Sequence, residues 1–358
     1  MNQLSLQRSL KVIKRVPLRV LKSSGIFHAV RDSEWRRRRL LILCYHGTSL
    51  EDEHLWRTAL FMPIEQFAQR LECIQRGGYR VLPLSEALQR LKARDLPEGS
   101  VAITFDDGTY DFYKQAFPLL KKYGFPVTVY QTTYYSDRQL PVFNLTCSYL
   151  LWKRRGQMLD VGRELGLDPP LNLCSAVSRQ EIVVKMLALT QSMTGQEKNG
   201  VLCRLAELLG IDYGEILSKR ILQIMNAGEI EQLARQGVDF QLHTHRHRVP
   251  KDRILFQTEI RQNRERLREL TGQTAHHFCY PGGVYDRQFL PWLEEEGVKS
   301  ATTCDISLAT AAHNPLLLPR FIDTPAQSEV EYESWLCGVG HLLSQRRPAR
   351  QKFVPVGD

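Results

Sequence analysis

Short apolar bursts alternate with segments whose apolar residues recur at helical spacing, and this alternation limits the fold more than any other feature of the chain. Leu40-Leu41-Ile42-Leu43-Cys44-Tyr45 reads as a buried strand ending at His46-Gly47. Residues 64–75 carry Phe67, Leu71 and Ile74 on one helical face and stop at Gly77-Gly78; 79–82 then reads as a strand, 84–93 as a helix and 101–105 as a strand. The rhythm continues with helix 111–123, strand 127–131, helix 230–236, strand 238–242 and helix 254–270, followed by segments at 278–280, 286–296, 300–303 and 316–322. Strands separated by helices in this order pair in parallel, with the helices on the outside. No GxGxxG follows the first strand. The expected fold is therefore α/β, a distorted (β/α) barrel of about seven or eight strands rather than a dinucleotide-binding open sheet.

Between about 144 and 225 the strand rhythm stops, and 145–153, 179–190 and 197–209 read as helices. This helical insertion follows the carboxyl end of a strand, on the face where barrel loops build active sites, so it either shapes a substrate cleft or is a structural appendage. The domain plan that results is a basic amphipathic arm over 1–39, a barrel with its insertion over 40–344, and a basic tail over 345–358.

Charge narrows the partners. Of 48 Lys and Arg, eleven lie in residues 1–40 against Asp32 and Glu34, which leaves 37 basic and 37 acidic residues in the remainder. A protein that tracks a phosphate backbone spreads its cations over the binding face, so nucleic acid is excluded as a partner and a neutral or zwitterionic substrate fits. In the arm, Leu4, Leu6, Leu10, Ile13, Val16, Val20 and Leu21 alternate with Arg8, Lys11, Lys14, Arg15, Arg19 and Lys22. Residues 1–30 can thus lie on an anionic membrane surface as a peripheral contact; a solvated tail is the equal alternative, and Pro17 limits any single helix. No apolar run reaches the roughly 18–20 residues of a membrane span, and no secretory signal is seen. The expected location is cytoplasmic, at the inner membrane face if the arm engages lipid. Eight cysteines without a CxxC pair read as reduced thiols.

Two motifs carry chemistry. In Thr104-Phe105-Asp106-Asp107-Gly108 a pair of carboxylates emerges from a strand end, and in His243-Thr244-His245-Arg246-His247 three imidazoles follow another strand on the same barrel face. His243 and His247, four apart, can reach one ion from a helical turn, which directs His245 elsewhere. One carboxylate completes a ligand set with positions open to water and substrate, and the other is left to take a proton. Zinc suits these ligands best, and cobalt, nickel or iron also fit.

These two motifs, in this order and in a β/α setting, resemble the NodB homology domain of the polysaccharide deacetylases, carbohydrate esterase family 4, over about residues 100–325. The resemblance implies that Asp106 is the general base and that Asp107, His243 and His247 hold the metal. It also implies an N-acetylated glycan as substrate, in an exopolysaccharide or its precursor. That family's third motif has Arg two residues before a Pro, where Cys279-Tyr280-Pro281-Gly282-Gly283 has Cys279. This departure, with Cys44-Tyr45-His46-Gly47, is similar to the branch that deacetylates poly-N-acetylglucosamine. Tyr280, Gly282 and His46 are candidates for the oxyanion or substrate: the Pro-Gly-Gly turn can aim a backbone N–H at a developing oxyanion, or be only a tight turn. No segment matches the family's late Leu-x-His motif, so the general acid is unassigned, with His46, His245 and His313 as possible sources. Two other readings remain open: a metal-dependent hydrolase of another ester or amide, and a catalytically weak glycan-binding protein, which the missing Arg favours.

Overall fold

The structure, a computed structural model, describes residues 16–344, so expectations for residues 1–15 and for the 345–358 tail lie outside the described residues. Eight strands form one sheet: β1 (Leu41–Tyr45), β2 (Arg80–Val81), β3 (Ser100–Phe105), β4 (Thr128–Gln131), β5 (Asp239–Leu242), β6 (His277–Cys279), β7 (Ser300–Ile306) and β8 (Leu318–Ile322). Parallel pairing runs β1–β8–β7–β6–β5–β4–β3 and returns to β1, closing a seven-stranded barrel, with β2 an additional strand on β3. The closing seam is long, running from Leu41 opposite Val101 to Tyr45 opposite Phe105.

Alternation along each strand sorts side chains between the lumen and the helical shell. Leu40, Ile42, Ala102, Tyr130, Cys279 and Leu318 cluster inside, and the helix Leu84–Ala93 adds Leu84, Ala87 and Leu91 to them. Leu41, Leu43, Val101, Ile103, Phe105, Val129, Phe240, Phe278 and Phe321 belong to the outer core against the surrounding helices. The same parity carries Cys44, Thr104, Asp106, His243 and Arg320 onto the lumen side.

Local deviations have local causes. The helix expected over 111–123 opens as a π-turn, Phe112–Ala116, before Pro118 starts a regular helix, Phe117–Tyr123, closed by Gly124 at φ 65°. The last long strand, β7, continues to Ile306 through an irregularity between Thr302 and Ile306. The insertion contains helices Phe143–Lys153, Ala176–Leu189, Gly195–Leu208 and Tyr213–Ser218; the last has six residues, too few to show a period in sequence. They share a core of their own that includes Leu150, Leu151, Met186, Leu202 and Leu205, with Phe61 from the segment after β1.

Residues 16–23 are helical, and Ile26–Arg31 forms a second helix. Leu18 and Phe27 bury against Val330, Cys337 and Val339, so the described part of the 1–39 stretch is docked on the barrel's outer helices. Arg36 is fully buried and donates to Leu336 O (3.1 Å), Arg39 O (2.6 Å) and Ser100 O (3.1 Å). Among the described residues no helix is long and apolar enough to cross a membrane.

Candidate metal centre

Asp106 continues the lumen-facing row of Ala102 and Thr104, so its carboxylate turns into the barrel mouth. There Arg320, from the middle of β8, meets it with both terminal nitrogens: Nη1 donates to Oδ1 and Nη2 to Oδ2, each at 2.7 Å. The guanidinium is itself fixed, since Nε donates to Thr303 O at 3.1 Å and the group is wholly buried. The thiols of Cys279 and Cys44 lie 3.4 Å and 3.6 Å from Asp106 Oδ2. Burial alone would raise the Asp106 carboxyl, but the Arg320 charge and its forked hydrogen bonds hold it well below the usual carboxylate range.

Asp107 leaves the strand with φ 68°, an unusual conformation for a residue with a Cβ, and Gly108 follows at φ 77°. This reversal swings the second carboxylate back over the mouth. Asp107 Oδ1 lies 3.1 Å from His243 Nε2 and 3.2 Å from His247 Nε2. The three residues offer ligand atoms all within 4.8 Å of one another. Burial opposes ionisation of Asp107, yet the two imidazoles set against it keep its carboxyl well below the ordinary range. The two rings do not converge from a helical turn, as the spacing suggested. Residues 243–247 are irregular, with Thr244 at φ 62° and His247 at φ 57°, and His243 is anchored by the end of β5.

The tautomer of His243 tests whether a cation fits. Its Nδ1 is 2.9 Å from Cys279 O, which can only accept, so Nδ1 carries the hydrogen and Nε2 of the neutral ring is a lone pair. That lone pair faces another acceptor, Asp107 Oδ1, and only a proton or a cation between them makes the contact favourable. One carboxylate and two imidazoles are a donor set for zinc or a neighbouring first-row ion.

The polysaccharide deacetylase family pattern matches residues 93–167 and 215–301, the stretches that carry both motifs. Over these stretches the chain carries a polysaccharide deacetylase domain. The gap in the match, 168–214, falls in the insertion. YxkH of Bacillus subtilis strain 168 is 37% identical over 93 residues, 26% of this chain and 31% of that protein. Poly-β-1,6-N-acetyl-D-glucosamine N-deacetylase of Escherichia coli K12 is 23% identical over 96 residues, again 26% of this chain but 14% of that protein. The chain thus matches less than a third of either curated relative. Among solved structures, Streptococcus pyogenes deacetylase PplD in complex with acetate gives a TM-score of 0.54 at 20% identity, covering 87% of this chain and 99% of that one. IcaB from Ammonifex degensii gives 0.52 at 17%, covering 85% and 97%. These two share the fold.

In this barrel the remaining candidates separate. His46 Nε2 is 3.8 Å from Asp106 Oδ2, and burial lowers its imidazole pKa against the opposing pull of Asp106 and Asp107. The Tyr280 side chain, by contrast, is part of the outer core, with its hydroxyl donating to Leu316 O at 3.0 Å; only the main chain of the turn remains for a substrate. That turn is closed by Gly283 N donating to Tyr280 O (2.9 Å), with Gly282 at φ 60°. His245 turns away to Thr133 Oγ1 (2.9 Å) and Tyr134. His313 caps its own loop at Thr310, beside the Leu40–Ala309 bridge at the amino end of β1, the opposite end from the aspartates. Sequence reasoning missed Arg320; its signal was a lone cation within the apolar run Leu318-Pro319-Arg320-Phe321-Ile322.

Proposed function

We propose that the chain is a metal-dependent hydrolase that removes N-acetyl groups from an N-acetylated sugar, in a polysaccharide or its precursor. The observation that carries this reading is the acceptor-to-acceptor approach of His243 Nε2 and Asp107 Oδ1 beside a second, separately braced carboxylate. Asp107, His243 and His247 would hold the ion, which when bound polarises an amide carbonyl and lowers the pKa of water at neutral pH. Asp106, kept ionised and oriented by Arg320, takes the proton of the attacking water. The turn at Gly282 is where a backbone N–H would meet the developing oxyanion. The names of the Escherichia coli relative and of the acetate-bound neighbour agree with an acetamide substrate.

The glycan-binding reading drew on a missing Arg and an unassigned general acid; Arg320 beside Asp106 removes the first of these. Acetate release from N-acetylglucosamine oligomers with added zinc or cobalt is the test, with Asp106→Asn alongside. The variant is expected to bind metal as the wild type does and to lose about 10²–10⁴-fold in kcat. A wild type that binds the ion yet releases no acetate from any oligomer would remove the proposal.

The domain plan of arm, barrel with insertion, and tail is part of the same reading. Val16 and Val20 are exposed on the arm's described helix, which supports peripheral contact of residues 1–30 with an anionic membrane at its cytoplasmic face. Co-sedimentation with phosphatidylserine vesicles, abolished on deleting residues 2–15, is the expected result; equal sedimentation of both forms would oppose it.

A further inference from the structure

Two buried amides stand behind the ligand turns. Gln131, at the end of β4, is fully buried, and its Nε2 donates to Thr132 O (2.7 Å) and, more distantly, to Asp107 O and Ser136 Oγ (both 3.5 Å). Thr132 N also donates to Asp107 O at 3.3 Å. The amide lies so close under Gly108 that a Cβ there would fall 1.8 Å from Gln131 Oε1. Gln131 Oε1 is buried without a hydrogen-bond partner among the described residues. The left-handed turn of Asp107 thus rests directly on this side chain.

Asn263, on the helix Arg253–Thr271, is also fully buried and connects this support to the other motif. Its Nδ2 donates to Gln131 O (3.0 Å) and Thr133 Oγ1 (3.0 Å), while its Oδ1 accepts from His243 N (2.9 Å). A continuous set of contacts therefore runs from Asp107 through Gln131 and Asn263 to His243. Two ligands that are 136 residues apart in sequence share one buried polar frame.

We propose that Gln131 and Asn263 are positioning residues that hold Asp107 and His243 in the ligating arrangement. This inference rests on the metal-ligand reading given above. Neither amide touches the substrate or the ion; each acts through a ligand's main chain, as supporting groups behind metal ligands commonly do.

Cobalt titration of the full-length apoprotein, followed by visible absorption, tests it. Gln131→Met and Asn263→Leu keep much of the volume and remove the hydrogen bonds, and Ile260→Val, an apolar change in the outer core on the same helix as Asn263, is the control for stability. The expected result is a 10–100-fold loss of cobalt affinity with an altered absorption band in the first two, and wild-type affinity and spectrum in the control. Should Gln131→Met fail to fold, Gln131→Asn, still polar but too short to reach Asp107 O, carries the same test. Wild-type affinity and spectrum in the Gln131 and Asn263 variants, or an equal loss in Ile260→Val, would overturn the inference and leave the ligand reading standing. A wild type that binds no cobalt would overturn both.

Discussion

Forked contact between Arg320 and Asp106 sets the chemistry available at the mouth of the barrel. A buried carboxylate without a counter-charge takes up a proton, and a protonated Asp106 cannot accept another from water. Replacing Arg320 with Met, similar in length, is therefore expected to lower kcat/KM by about two to three orders of magnitude while bound metal stays stoichiometric. Lys should restore only part, because a single ammonium cannot match the two oxygens at once. Full activity in Arg320→Met, measured as acetate release, would show that Asp106 needs no brace. The aspartates and histidines were legible because each set is contiguous, so sequence alone displayed unusual density of chemistry at a strand end. Arg320 was not, since no local spacing ties it to a residue 214 positions earlier. What could have exposed it is the period of two in β8, which turns position 320 to the lumen with 318. A charge on that side must find a buried partner.

At the level of elements, helix and strand order was readable because amphipathic period and turn residues agree: helices Ile64–Arg76 and Leu84–Ala93 begin where expected, each directly after a Pro. Less readable were features decided by tertiary contact, such as the left-handed turns at Asp107 and His247. The insertion is also more than a neighbour of the site. Its returning strand of chain clasps the aspartate turn, with Met225 N donating to Gly108 O (2.9 Å), Tyr110 N to Gln223 O (2.8 Å) and an antiparallel bridge between Thr109 and Ile224. Its helices nonetheless have a separate core, in which Leu205 is fully buried. Leu205→Ala should cost about 2–5 kcal/mol of stability in the insertion. Amide exchange would then quicken across Gly195–Leu208 while Ser100–Phe105 stays protected; equal loss of protection in both would mean that the two cores unfold as one.

Across the whole molecule, the segment before β1 is bound into the amino end of the barrel. Arg31 Nη1 donates to Gly77 O at 2.9 Å, and Arg36 bridges the start of β3 and the end of the helix Glu329–Cys337. Arg36→Met would strip donors from three carbonyls, at about 1–3 kcal/mol for each group left buried and unpaired. A fall in Tm of roughly 10 °C is expected, at about 2–4 °C per kcal/mol for a chain of this size or somewhat smaller; an unchanged Tm would show that water replaces the guanidinium. Arm and body were separable in sequence by charge alone, but the docking of residues 16–31 was not, because Leu18 and Phe27 acquire meaning only beside Val330 and Cys337. Both described chain ends thus leave from the floor of the barrel, while the aspartates and imidazoles open at its roof. With residues 16–31 docked at that floor, a lipid surface engaged by the arm as proposed would lie on the side away from the aspartates and imidazoles.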